Sequence, residues 1–222
     1  MRRHVIVSCA TIALALAAVV AAAQDSPSIS DLKVRAAAGD KTATRQLAEA
    51  YYLGKGVDQD FKQAAQWYEK LAKLGDRRAQ TSLGLMYARG YGVEKNFEIA
   101  RKWWTLAATQ GDPGAQHSLG SMYALGEGVP KDDSQAFYWW LEAAKRDHRE
   151  SQLNVGLAYK YGRGTPRDDV AAYMWAYIAA ADGEESAQHD LKIVAQDMTA
   201  DQIAEGEKRA KAWLKLARKT AK

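Results

Sequence analysis

From Gly39 onward the alternation of apolar and polar positions repeats every 36 residues. Each period opens with three positions four residues apart, Ala43, Leu47 and Tyr51, which recur as Ala79, Leu83, Tyr87, then Ala115, Leu119, Tyr123, then Ser151, Val155, Tyr159. Residues four apart share one face of an α-helix, so this stripe predicts a helix with a single buried side. A Gly-x-Gly turn follows, at Gly54 and Gly56, Gly90 and Gly92, Gly126 and Gly128, and Gly162 and Gly164. Glycine at a fixed place after a helix suits a left-handed C-terminal cap, and the second glycine suits a further positive-φ bend. Next come Asp60, Asn96, Asp132 and Asp168, each placed to accept hydrogen bonds from the first amides of a second helix. That helix carries Ala64, Trp67 and Ala72, recurring as Ala100, Trp103, Ala108, then Ala136, Trp139, Ala144, then Ala172, Trp175, Ala180.

The chain therefore divides into four gapless helical hairpins, 39–74, 75–110, 111–146 and 147–182. An N-terminal capping segment, 24–38, precedes them, and residues 183–222 form a partial fifth unit with a C-terminal capping helix. Beside the leucine positions stand Ala48, Gly84, Gly120 and Gly156, which predict close approach of a neighbouring helix, because a mid-helix glycine otherwise costs about 1 kcal/mol. The four tryptophans predict a ladder between units, each burying about 200 Å². In the last segment Thr199–Gln202 reads as a capping box, followed by an apolar stripe of Ile203, Ala210, Trp213, Leu214 and Ala217 among basic residues.

The first 23 residues are of another kind. Arg2 and Arg3 precede an uncharged, mostly apolar run from Val5 to Ala23 that ends in three alanines, the pattern of a cleaved secretory signal. An uncleaved anchor is the alternative. The only cysteine, Cys9, lies inside this run, so the mature chain is expected to lack thiols and to depend on packing alone. The formal charge is +4, and losing Arg2 and Arg3 leaves 29 basic against 27 acidic residues. Seven of those cations lie after Met198, so the repeat body is close to neutral, which argues against a nucleic-acid groove.

The motif G-D-x-x-A-Q-x-x-L-G-x-M-Y-x-x-G-x-G-V, followed by Asp, Ala and Trp at fixed intervals, resembles the Sel1-like repeat family, with the nearest copies at 75–110 and 111–146. The resemblance implies an all-α fold, a right-handed α/α superhelix of helical hairpins related to tetratricopeptide arrays. It also implies a scaffold or adaptor in protein assemblies, sometimes in the bacterial envelope. Some secreted relatives staple each hairpin with a disulfide, which this chain lacks the cysteines to do.

Other constellations have plainer explanations. The Gly-x-Gly turns close helices instead of opening them after a strand, so they do not read as phosphate loops. Asp132–Asp133 and Asp168–Asp169 fall on a cap and a first helical turn, where negative charge is stabilising. His117 and His189 are two periods apart, His148 is expected at the surface, and no metal signature or nucleophile–base set is present. No catalytic residue, metal or cofactor is therefore expected. The first-helix positions opposite the core stripe vary from unit to unit, and these predict a concave partner-binding face of Tyr52, Leu85, His117, Ser121, Leu153, Leu157 and Lys160. Packing under another element of the same chain is the alternative for the leucines. The expectation is an exported, periplasmic or secreted scaffold that binds a protein or peptide, with no nucleic-acid partner. A cell-wall or β-lactam hydrolase, and a lipid-surface protein whose basic C-terminal helix touches the membrane, stand as alternatives. Partner identity and oligomeric state are not encoded in such a pattern.

Overall fold

The computed structural model describes residues 27–181, 183 and 185–220, and among these it holds eleven α-helices and no strand. The signal-like segment 1–23, with Cys9, lies outside the described residues. The helices are α1 (Ile29–Ala37), α2 (Lys41–Leu53), α3 (Phe61–Lys73), α4 (Arg77–Arg89), α5 (Phe97–Thr109) and α6 (Pro113–Leu125). They continue as α7 (Asp133–Ala144), α8 (Arg149–Tyr161), α9 (Asp169–Ala179), α10 (Glu185–Ala195) and α11 (Ala200–Thr220). No helix among the described residues is long and apolar enough to cross a membrane. The chain forms two compact units, one ending at Trp67 and one beginning at Tyr68.

In the first unit α1 packs against α2. Asp40 caps α2 by accepting from the amides of Thr42 and Ala43, and the Arg35 guanidinium donates to the same carboxylate at 2.8 Å. Tyr52 meets Phe61 edge-on, with centroids 5.4 Å apart.

In the second unit the expected hairpins are α4–α5, α6–α7 and α8–α9, and α5 then packs on α6 and α7 on α8. The caps follow from local chemistry. Asp76 and Asp112 accept from the N3 amides of α4 and α6, while Asn96, Asp132 and Asp168 do the same for α5, α7 and α9. Gly90, Gly126 and Gly162 end the first helices at φ near +70°, donating back to Met86, Met122 and Ala158. In the last two turns the second glycine also serves the stacking of units. A Cβ on Gly128 would lie 2.3 Å from Phe97 Cβ, and one on Gly164 would lie 2.0 Å from the Asp133 carbonyl oxygen, so the turn of one repeat rests on the start of the previous repeat's second helix.

The tryptophan ladder holds only in part: Trp175 is buried in a cluster with Ala144 of the unit before, and Trp139 packs on a cluster drawn from two units. Trp103 and Trp139 are only half-buried, and the ring contacts of Trp139 and Trp175 go to Tyr138 at 5.0 Å and Trp213 at 5.6 Å, not to one another. The intimate packing belongs to the next position. The indoles of Trp104 and Trp140 lie directly on Gly84 and Gly120, where an added Cβ would come within 2.5 and 2.4 Å of the ring. In the last hairpin that position is Ala176, and the α9 backbone itself approaches Gly156, with the Ala172 carbonyl 3.2 Å from an added Cβ. The small residues were thus rightly expected to mark close approach, but in two repeats the intruder is a ring from within the same hairpin.

A second stacking device recurs with the same period. The side-chain amides of Gln80, Gln116, Gln152 and Gln188 donate to the carbonyls of Ala72, Ala108, Ala144 and Ala180, at 3.0, 3.1, 3.4 and 2.9 Å. Each clasps the first helix of one unit to a carbonyl that closes the second helix of the unit before. Three of these glutamines are buried, and each carbonyl also accepts the backbone amide three residues on, so the clasp fills its second lone pair.

The C-terminal helix α11 lies on α9. Its capping box forms as expected, with the Thr199 amide donating to Gln202 Oε1 at 2.9 Å and the Gln202 amide to Thr199 Oγ1 at 3.3 Å. Ala210 is fully buried in a cluster with Ala144, Val155, Trp175 and Ile178, and Trp213 and Leu214 pack against it. Apart from Ala210 the tail's apolar stripe is half-buried against the body, and Leu216 stays exposed.

Candidate partner-binding cleft

Helices α4 and α6 begin and end at the same points of successive repeats, so their sequences can be compared position by position. Each buries one side, Ala79, Leu83 and Met86 in α4 and Ala115, Leu119 and Met122 in α6. With that need satisfied, the other side still carries Leu85, 38% exposed, and Leu125, 69% exposed. Together with the turn that follows α4 they bound a cleft of about 670 Å³. Trp104 and Met122 lie at its buried side, Leu85, Tyr91, Phe97 and Leu125 supply apolar walls, and Arg89, Lys95 and Glu127 carry its charges.

The polar end of the cleft is built from His117 and Ser121. His117 Nδ1 is hydrogen-bonded to Ser151 Oγ at 2.9 Å, and the same hydroxyl meets His148 Nδ1 at 3.1 Å. The two imidazoles stack with centroids 4.6 Å apart, and Ser121 Oγ stands 3.5 Å from His117 Nε2. Ser151 is wholly buried, at a place where Ala43, Ala79 and Ala115 stand in earlier repeats, and His148 occupies the capping place of Asp40, Asp76 and Asp112. His148 does cap α8, accepting from the Ser151 amide. It is therefore half-buried between helices, not the surface residue that its place at a unit opening suggested. Burial first and the neighbouring His148 second push the His117 pKa down to about 4, against an opposing pull from Glu150. Burial likewise lowers His148. Both rings are neutral near pH 7, and neutrality lets them stack without repulsion.

This cluster is poorly arranged for acyl transfer. Ser121 lies inside α6, where backbone amides are engaged in the helix, so no pair of free N–H groups faces its hydroxyl. A hydroxyl, not a carboxylate, orients His117. Among the described residues no group of three or more His, Cys, Asp or Glu is placed to hold a metal ion.

The structure thus brings together Leu85, His117 and Ser121 from the expected set. Leu153 is half-buried and Leu157 36% exposed on α8, and neither lines the cleft. Tyr52 belongs to the other compact unit. Lys160 is corrected: its side chain is only 12% exposed, and its ammonium donates to the carbonyls of Ile193 and Val194 at 2.9 and 3.2 Å, closing the C-terminus of α10. Sequence reasoning missed Arg89, Tyr91, Lys95 and Leu125. The signal for Leu125 was its apolar character one residue before the capping glycine, a place shared by Leu53 and Tyr161.

Comparison with known proteins agrees with this geometry. The family model described as Sel1 repeat matches four consecutive segments, residues 42–76, 77–112, 113–148 and 149–184. The structure of c5321, described as a protective antigen present in uropathogenic Escherichia coli strains displaying an SLR fold, superposes with a TM-score of 0.78 at 32% identity. That alignment covers 84% of this chain but only 40% of the antigen, so the chain spans less than half of that protein's length. A Sel1 repeat protein from Oxalobacter formigenes superposes with a TM-score of 0.71 at 30% identity, covering 86% of this chain and 78% of the other. A search of curated proteins finds no match.

Proposed function

Since the chain belongs to the Sel1 repeat family, whose members typically mediate protein–protein interaction and are generally non-catalytic, we propose that it is a scaffold that captures a protein or peptide segment in the cleft between α4 and α6. One observation carries the reading. Leu85 and Leu125 remain exposed on helices whose packing needs are already met, and they flank a cleft large enough to admit several side chains. A peptide covering them would bury apolar surface, worth about 25 cal/mol per Å², without disturbing a repeat contact. The basic start and apolar run of residues 1–23 support action outside the cytoplasm, in a bacterial periplasm or beyond.

Photo-crosslinking in cells tests the reading. A photoreactive residue placed at 85 or 125 should yield a discrete adduct, and one at Leu106, exposed on the second helix α5, should not. Adducts of equal intensity from all three, or from Leu106 alone, would refute it. Release of a mature chain starting near Gln24 into the periplasmic fraction is the expected outcome for export.

A further inference from the structure

We propose, building on the cleft reading, that the segment captured there carries a carboxylate side chain flanked by apolar residues. The observation behind this is a break in a repeated charge pattern. A cation stands at the same place in three successive units, Lys95, Lys131 and Arg167, just before each second helix. Two residues on, the later units supply an acid. Lys131 lies 3.6 Å from Asp133, and Arg167 forks Asp169 at 2.9 and 3.0 Å. In the unit that forms the cleft, the acid's place is taken by Phe97, and the Lys95 ammonium lies over that ring, 4.7 Å from its centroid.

Lys95 thus lacks the anion its counterparts have, and an apolar cleft opens beside it. Arg89, from the last turn of α4, joins it on the cleft wall, and neither makes an ion pair among the described residues. Glu127 is the only acidic residue lining the cleft, so the wall carries a net positive charge. A carboxylate arriving between Arg89 and Lys95 would meet two cations whose surroundings, Phe97, Tyr91 and Leu125, exclude part of the water that normally screens such a pair. Apolar neighbours of that carboxylate would cover Leu85 and Leu125. A bare polyanion satisfies the charges and leaves the leucines wet, and a purely apolar segment does the reverse.

The test is selection of a displayed random 12-residue peptide library on the full chain, with parallel selection on Arg89→Glu/Lys95→Glu and on Leu85→Asp/Leu125→Asp. All four side chains are exposed, so unchanged circular-dichroism melting curves are expected for both variants. Peptides enriched on the wild type should place Asp or Glu between apolar residues. They should bind Arg89→Glu/Lys95→Glu about tenfold or more weakly and retain binding to Arg89→Lys/Lys95→Arg. Enriched peptides that bind the wild type and the leucine variant alike would defeat both the cleft reading and this one. Peptides that need the leucines but show no acidic preference, or that bind the charge-reversed variant equally, would defeat the carboxylate claim alone. Single-stranded nucleic acid competing for the site while acidic peptides do not would overturn it as well.

Discussion

Substituting Gly120 by alanine sets two effects of known size against each other. In an exposed helix the change would stabilise by about 1 kcal/mol, because glycine loses more backbone freedom on folding. Here the new methyl would lie 2.4 Å from Cδ1, 2.6 Å from Nε1 and 2.9 Å from Cγ of Trp140. Carbon atoms are comfortable at about 3.5–4 Å, so the indole must retreat by about 1 Å. It has little room to do so, because its far side packs on the cluster of Ala144, Val155 and Trp175. Overpacking of this kind costs about 1–3 kcal/mol, so the balance is a net loss of up to about 2 kcal/mol. A double-mutant cycle isolates the contact. Trp140→Ala removes every ring atom the methyl would meet and sacrifices no hydrogen bond, since the buried Trp140 Nε1 has no partner. Adding Gly120→Ala to that background should cost at least 1 kcal/mol less than adding it to the wild type. Urea denaturation followed by far-ultraviolet circular dichroism reads all four proteins. A more stable Gly120→Ala single variant, or an additive cycle, would show that the glycine is not there for the ring.

Two further outcomes follow from the joint between α6 and α8. The His117 pKa is depressed below its unfolded value, so its neutral form contributes stability that is complete above pH 6.5 and lost as pH falls from 6.5 to about 4. Allowing for partial solvent screening, the loss is about 1–2 kcal/mol, and His117→Gln should flatten that part of the stability profile. An NMR titration placing His117 at or above 6.5 would contradict the burial argument. Asp147 holds φ at +64°, where the other repeats have Gly39, Gly75 and Gly111, so Asp147→Gly should raise stability by about 0.5–1 kcal/mol in thermal melts. A drop would mean that the 3.2 Å hydrogen bond it accepts from Gln152 Nε2 outweighs the strain.

What was legible in the sequence was local. The stripe Ala79, Leu83 and the cap residues Asp76, Gly90 and Asn96 interact within a few residues of themselves, so spacing alone assigns their roles. What was not legible depends on how one helix is rotated against another. Trp103 and Trp104 differ by about 100° around α5, and nothing in the 36-residue pattern says which of them meets Gly84. The glutamine clasps were visible as a recurring Ala-Gln pair but not as bonds, because their acceptors lie eight residues back across a turn. Lys160 looked like a variable surface residue because its acceptors, on α10, are 33 and 34 residues away. Leu125 escaped because the last turn of a helix was read only for its cap.

The distinction between repeated and unrepeated positions is what separates stacking from recognition in this chain. Gly84 and Gly120, the glutamine clasps and the turn glycines each have one steric or hydrogen-bonding solution, and the units reuse it. Such positions hold no information about a partner, since changing one would dislodge a neighbouring helix before it altered a surface. Departures from the pattern can be kept only where packing does not forbid them. In the second unit several of them converge on α6. On one side of it Phe97 replaces an acid and leaves Lys95 unpaired beside Leu85 and Leu125, and on the other His148 and Ser151 replace an acid and an alanine around His117. His117 belongs to both groups, contacting the joint through Nδ1 while lining the cleft with Ser121. A substitution at the joint, such as His148→Asp, would therefore reach the cleft through one imidazole while leaving the glutamine clasps and the glycine contacts of α6 in place.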